Sequence, residues 1–159
     1  MSKIVGILFI TAGSLSVLIG QIRRKRQDLS LLQALIGALR TMEGAIHWKG
    51  QTVPRCLQEL SKRKYCGIYF QNILKVMESG VTLQNAWKQG FMNLPLEIKS
   101  ILQQMEWNGD EVHLLGNLQC TIQGLSEHFH REKQMQHNEE KLLIAAIGSV
   151  TGMLIIILL

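Results

Sequence analysis

Two stretches without a single charge bracket this chain of 159 residues: "IVGILFITAGSLSVLIGQI" over residues 4–22, and residues 142–159 in "KLLIAAIGSVTGMLIIILL". As helices they would reach about 28 and 27 Å, close to the roughly 30 Å hydrocarbon thickness of a bilayer. Lipid offers the backbone no hydrogen-bond partner, so a lone apolar stretch that crosses it has to be helical. Both ends are therefore expected to be transmembrane helices. A cleaved signal peptide starting at Lys3 is the alternative for the first stretch. It fits less well, because "IRRKR" stands where a small-residue cleavage site belongs. A buried core helix is the alternative for the last, but a helix apolar all round has little to bury against in so small a domain.

Charge orients the two spans. Arg23, Arg24, Lys25 and Arg26 follow the first one directly, against a single Lys3 before it. Arg131, Lys133 and Lys141 precede the second, and no charged side chain follows it. Basic residues stay on the cytoplasmic side, so both edges assign the middle to the cytoplasm and both termini to the outside. The expected organisation is a transmembrane helix at 1–22, a cytoplasmic domain at 23–141 and a second transmembrane helix at 142–159.

The middle has ordinary polarity once the apolar ends are set aside. It carries 16 of the 17 Lys and Arg residues and all 12 Asp and Glu, a net charge of +4. Much of the excess is the "RRKR" run, which an anionic inner leaflet attracts; membrane lipid is thus an expected partner. Nucleic acid is not, since it would need a broader basic face with aromatic platforms, and Tyr65 beside "KRK" at Lys62, Arg63 and Lys64 is the only trace of one. Cys56, Cys66 and Cys120 are odd in number and lack CxxC spacing, so they read as free thiols.

Helical periodicity runs through the middle, with almost no strand signal. Leu32, Leu35, Ile36, Leu39, Met42 and Ile46 share one face of a first helix, either capped by Asp28 or running straight on from the span, and Gly50 ends it. Thr52 is an expected N-cap, with Pro54 in the first turn that follows. Tyr69, Ile73, Val76 and Met77 form the next face, stopping at Gly80. A short helix follows Thr82 with Leu83, Ala86 and Trp87 inward. Another starts at Pro95 and buries Leu94, Ile98, Ile101, Leu102 and Met105. After the "NGD" turn at Asn108, Gly109 and Asp110, one long helix leads to the second span. The fold class is all-α: a six-helix cytoplasmic bundle flanked by one transmembrane helix at each end.

No constellation for catalysis emerges, and no catalytic, cofactor or metal residue is assigned. Glu106, Asp110 and Glu111 flank a turn, Glu139 and Glu140 lie near the second span, and none is paired with a base or nucleophile in a recognisable pattern. "GALRTMEG" and "GNLQCTIQG" lack the GK[ST] ending of a phosphate loop. His128, His130 and His137 in "HFHREKQMQH" include no i, i+3 or i, i+4 pair, so this segment reads as a solvated face before it reads as a metal site. His113 stands alone, and His47 beside Trp48 belongs to a helix end. Gly148 and Gly152 form a small-xxx-small pattern that lets helices approach closely in lipid.

The order of these features resembles the stage III sporulation protein AB family. It is carried by the first apolar stretch, the basic edge, "LQALIGALRTMEGAI" with Glu43, "TVPRCLQEL", the Trp in "LQNAWKQGF", "LLGNL" and the glycine-spaced closing segment from Lys141 to Leu154. Leu115-Gly116 keep the start of that family's LGxxLGxSDxxxQ-like stretch; its second glycine and Ser-Asp pair are absent. The resemblance implies a non-enzymatic, membrane-anchored component of the channel between mother cell and forespore. Its bundle would be similar to the cytoplasmic domain of the platform proteins of type II secretion and type IV pili. It would lie in the mother-cell cytoplasm, held by the outer forespore membrane. The implied partners are a secretion-type ATPase resembling the sporulation AA protein and other membrane components of the channel, and self-association into a homo-oligomer is compatible with the role. Arg55, Lys62, Arg63 and Lys64, on and after the second helix of the middle, are the candidate partner-binding residues. The alternatives are a membrane-bound enzyme or metal-binding regulator using the segment with His128, His130 and His137, or a generic membrane adaptor for a cytosolic partner.

Overall fold

The computed structural model describes the chain from residue 2 to 158, with side chains from 26 to 143 and at 145, 146, 149 and 153. Among the described residues there are six helices and no strand: α1 (Ser2–Lys49), α2 (Val53–Leu60), α3 (Gly67–Glu78), α4 (Leu83–Gly90), α5 (Leu96–Gln103) and α6 (Glu111–Leu158). The all-α bundle expected from periodicity is what forms. The flanking segments are not separate elements, since α1 and α6 are each 48 residues long and run unbroken across 22/23 and 141/142. Asp28 accordingly lies inside a helix and caps nothing. No helix among the described residues is long and apolar enough to cross a membrane. The side chains of 4–22 and most of those of 142–159 lie outside the described residues, as do those of Arg23, Arg24 and Lys25 and both glycines of GSVTG.

The spine of the bundle is the antiparallel pair α1 and α6. At one end Gln119 Nε2 donates to Glu43 Oε1 over 2.7 Å; at the other, Arg26 Nη2 meets Glu140 Oε1 at 2.9 Å. Position rises along one helix as it falls along the other, so both apolar ends extend from the same pole. The inner face of α1 is the expected stripe, with Leu32, Leu35, Ile36, Leu39, Met42 and Ile46 all buried. On α6 the matching stripe is Leu118, Thr121, Ile122 and Leu125.

Helices α2 to α5 fold across this spine. Gly50 and Gly80, at φ of 57° and 88°, take the left-handed conformation that ends α1 and α3 cheaply only for glycine. Thr52 and Thr82 stand at the N-cap positions of α2 and α4 in extended conformation, and their carbonyls accept from Cys56 and Ala86; neither side chain makes a cap hydrogen bond. Helix α4 lies so close to α3 that a Cβ on Gly90 would run into the Ile73 side chain. The largest buried side chains of this half are Trp87, Phe70 and Phe91. Trp87 packs edge-on against Phe91 at 4.8 Å between ring centroids, and its Nε1 donates to the Leu102 carbonyl over 2.8 Å. Gln84 on α4 holds the loop between α5 and α6 with both ends of its amide, donating to the Met105 carbonyl and accepting from Trp107 N.

Candidate functional site

The basic residues singled out in the sequence sit on the α2–α3 corner. Arg55 is exposed in the first turn of α2; Lys62, Arg63 and Lys64 are exposed in the turn after its last. They are not equivalent. Arg63 lies back along α1, its Nη2 donating to Thr41 Oγ1 over 2.6 Å, so its guanidinium anchors the corner to the spine. Lys64 hovers over the Tyr65 ring at 5.9 Å, and Tyr65 and Ile68 are themselves exposed. The corner thus combines two unanchored ammonium groups with accessible apolar area, a composition suited to an acidic, partly apolar protein surface.

A second surface lies at the pole opposite the Arg26–Glu140 pair. Trp48, in the last turn of α1, is 82% exposed, with His47 edge-on to it at 4.6 Å. A cleft of about 420 Å³ there is lined by Trp48 and Arg40 together with Glu43 and Leu115. Glu43 and Leu115, which carry part of the family resemblance from two remote places in the sequence, therefore meet in one cleft. The pairing of α1 with α6 decides that meeting, and it has no local signal.

The histidine segment behaves differently from the expectation of a solvated face. His130 and His137 are indeed exposed and line a shallow cleft of about 780 Å³ with Arg26 and Lys133. His128 is only 8% exposed. Its position continues the buried stripe of α6 one turn beyond Leu125, which is why it turns inward. At the floor of a cleft of about 240 Å³ it faces Glu97 from α5 and Glu132 from the next turn of α6, with Asp28 of α1 on the wall. His113, expected to stand alone, is paired with Asp110. Its backbone N–H donates to Asp110 Oδ1 over 3.0 Å, and its Nδ1 lies 2.7 Å from the same oxygen.

Two of the three thiols are sequestered. Burial pushes Cys56 and Cys66 above the ordinary thiol range, and the Cys66 sulfur points at the Ala34 carbonyl; Cys120 is exposed. Neither buried cysteine lines a cleft described above.

The model of the stage III sporulation protein AB family matches residues 3–159. The chain belongs to that family. The match runs through both apolar ends, the Glu43 stretch and Leu115, and with it comes a role in sporulation. No curated protein and no solved structure matches this sporulation protein.

Proposed function

We propose that this sporulation protein is a non-enzymatic adaptor of the channel between mother cell and forespore, anchored in the outer forespore membrane at both ends, whose cytoplasmic bundle docks a secretion-type ATPase. The observation that carries the reading is the polarity of the bundle. Both apolar ends leave from the pole marked by Arg26 and Glu140, while the accessible Trp48 and the α2–α3 corner lie away from it. An anchored adaptor needs that arrangement, with grip at one pole and contact area on the rest. Arg55, Lys62 and Lys64 would steer an acidic partner, since charges at the rim of an interface act mainly on encounter rate and register. Trp48 would supply the aromatic anchor that such rims surround.

The test is capture of the ATPase resembling the sporulation AA protein by the full-length adaptor in detergent. Reversing Arg55, Lys62 and Lys64 to Glu, with Arg63 kept for its bond to Thr41, is expected to slow association at low salt by about tenfold or more. Unchanged association would remove the corner from the interface. No capture by the wild-type chain would remove the adaptor reading.

A further inference from the structure

We infer that Glu97, His128 and Glu132 form a binding site for a divalent transition-metal ion, with Zn²⁺ the ion of choice, which clasps α5 to α6 beside α1. The three residues each offer one ligand atom, and these atoms lie within 4.8 Å of one another. The closest pair carries the argument. His128 Nε2 and Glu97 Oε2 are 3.5 Å apart, long for a hydrogen bond between an imidazole and a carboxylate. Two ligands each about 2.1 Å from a tetrahedral zinc stand about 3.4 Å from each other. The pair is thus already spaced for an ion between its atoms, and Glu132 has only to swing inward.

Placement supports the same reading. His128 and Glu132 are an i, i+4 pair on one face of α6, the spacing at which two helical side chains converge on one ion. Burial holds the His128 imidazole at the floor of the cleft, while Glu97 is 73% exposed in its side chain and leaves a way in from solvent. The side chains lining the cleft include three carboxylates, Asp28, Glu97 and Glu132, and neither Lys nor Arg. In a chain of net charge +5 such a concentration of negative charge is out of keeping with the whole. The Glu132 carboxylate makes no hydrogen bond or ion pair with a described residue. A dication would balance the two carboxylate ligands, with a neutral imidazole as the third ligand. Asp28 could bond to a metal-bound water or supply the fourth ligand. An imidazole with carboxylates suits Zn²⁺ better than Mg²⁺ or Ca²⁺, which prefer oxygen alone.

The experiment uses the full-length protein in detergent, stripped with a chelator and titrated calorimetrically with ZnCl₂, with Co²⁺ absorption as a second reading of the ligand set. One Zn²⁺ per chain is expected, with a rise in melting temperature on binding. Glu97→Gln and Glu132→Gln should each weaken binding at least tenfold and abolish most of the thermal shift. Glu97 is exposed, so its variant tests the site without threatening the fold; His128→Asn, at a buried position, is secondary. His130→Gln with His137→Gln should leave binding unchanged. The inference is overturned if no saturable binding occurs, if the Glu97→Gln/Glu132→Gln double variant binds like wild type, or if binding is lost with His130 and His137 instead.

Discussion

Trp87 and Trp107 lie edge-on, 4.7 Å between centroids, yet their indole nitrogens have opposite fates. Trp87 Nε1 donates to the Leu102 carbonyl, whereas Trp107 Nε1 is buried with no hydrogen-bond partner among the described residues. Replacing either by Phe removes a similar amount of ring. Only at Trp87 does it also remove a hydrogen bond, though the Leu102 carbonyl keeps the Met105 N–H at 3.3 Å, and at Trp107 it removes a donor already unsatisfied. Trp87→Phe is therefore expected to cost about 0.5–1.5 kcal/mol more than Trp107→Phe, read from denaturant melts of the full-length protein. Equal losses would mean that the Leu102 bond contributes nothing net. At this scale the sequence was legible where periodicity speaks. Trp87 and Leu39 are fully buried as their faces require. Phe70 was missed, because the stripe read on α3 ran through Tyr69 and Ile73, and both neighbours, Tyr69 and Phe70, contact Phe91. His128 was missed for a related reason. Comparing histidines only with one another concealed that His128 continues the stripe of Leu125 and has Glu132 four residues on.

Among the elements, α6 shows how a short signal sets a long helix. "NGD" turns the chain through Gly109, and Asp110 then caps α6 by accepting from the N–H of His113. That backbone bond first, and the His113 side chain second, hold the Asp110 carboxyl below the ordinary carboxylate range. A lowered folded-state value means stability that is present above the unfolded carboxyl's range and lost as pH falls through the lowered one. Asp110→Ala should thus melt earlier than wild type near neutrality. The gap between the two should close once the pH falls below the lowered value. A gap that persists in strong acid would assign the effect to something other than the ionised cap. The caps at Thr52 and Thr82 were legible as positions and not as bonds, since whether a hydroxyl turns towards the helix depends on its surroundings. Helix existence and helix faces are local matters. The choice of partners is not, and it alone brings Glu97 to His128 and Glu43 to Gln119.

For the whole molecule, the antiparallel pairing of α1 with α6 gives the bundle two poles about 33 Å apart along α1, counted from Arg26 to Trp48. The sequence suggested a domain held at both ends; the pairing adds that the two ends leave together, as one membrane on one side requires. Membership of the stage III sporulation protein AB family accounts for the order of segments, and the adaptor reading rests on where those segments lie. That reading stands on the bundle being cytoplasmic with both termini across the membrane. The most direct measurement is accessibility labelling in intact vegetative cells made to express the chain, since the outer side of their membrane faces the medium. Single cysteines are placed at Ser2, Lys62 and Leu159 in a chain whose Cys56, Cys66 and Cys120 are replaced. A membrane-impermeant reagent is expected to label positions 2 and 159 before lysis and position 62 only after it. Labelling of position 62 in intact cells, or of either terminus only after lysis, would contradict the account.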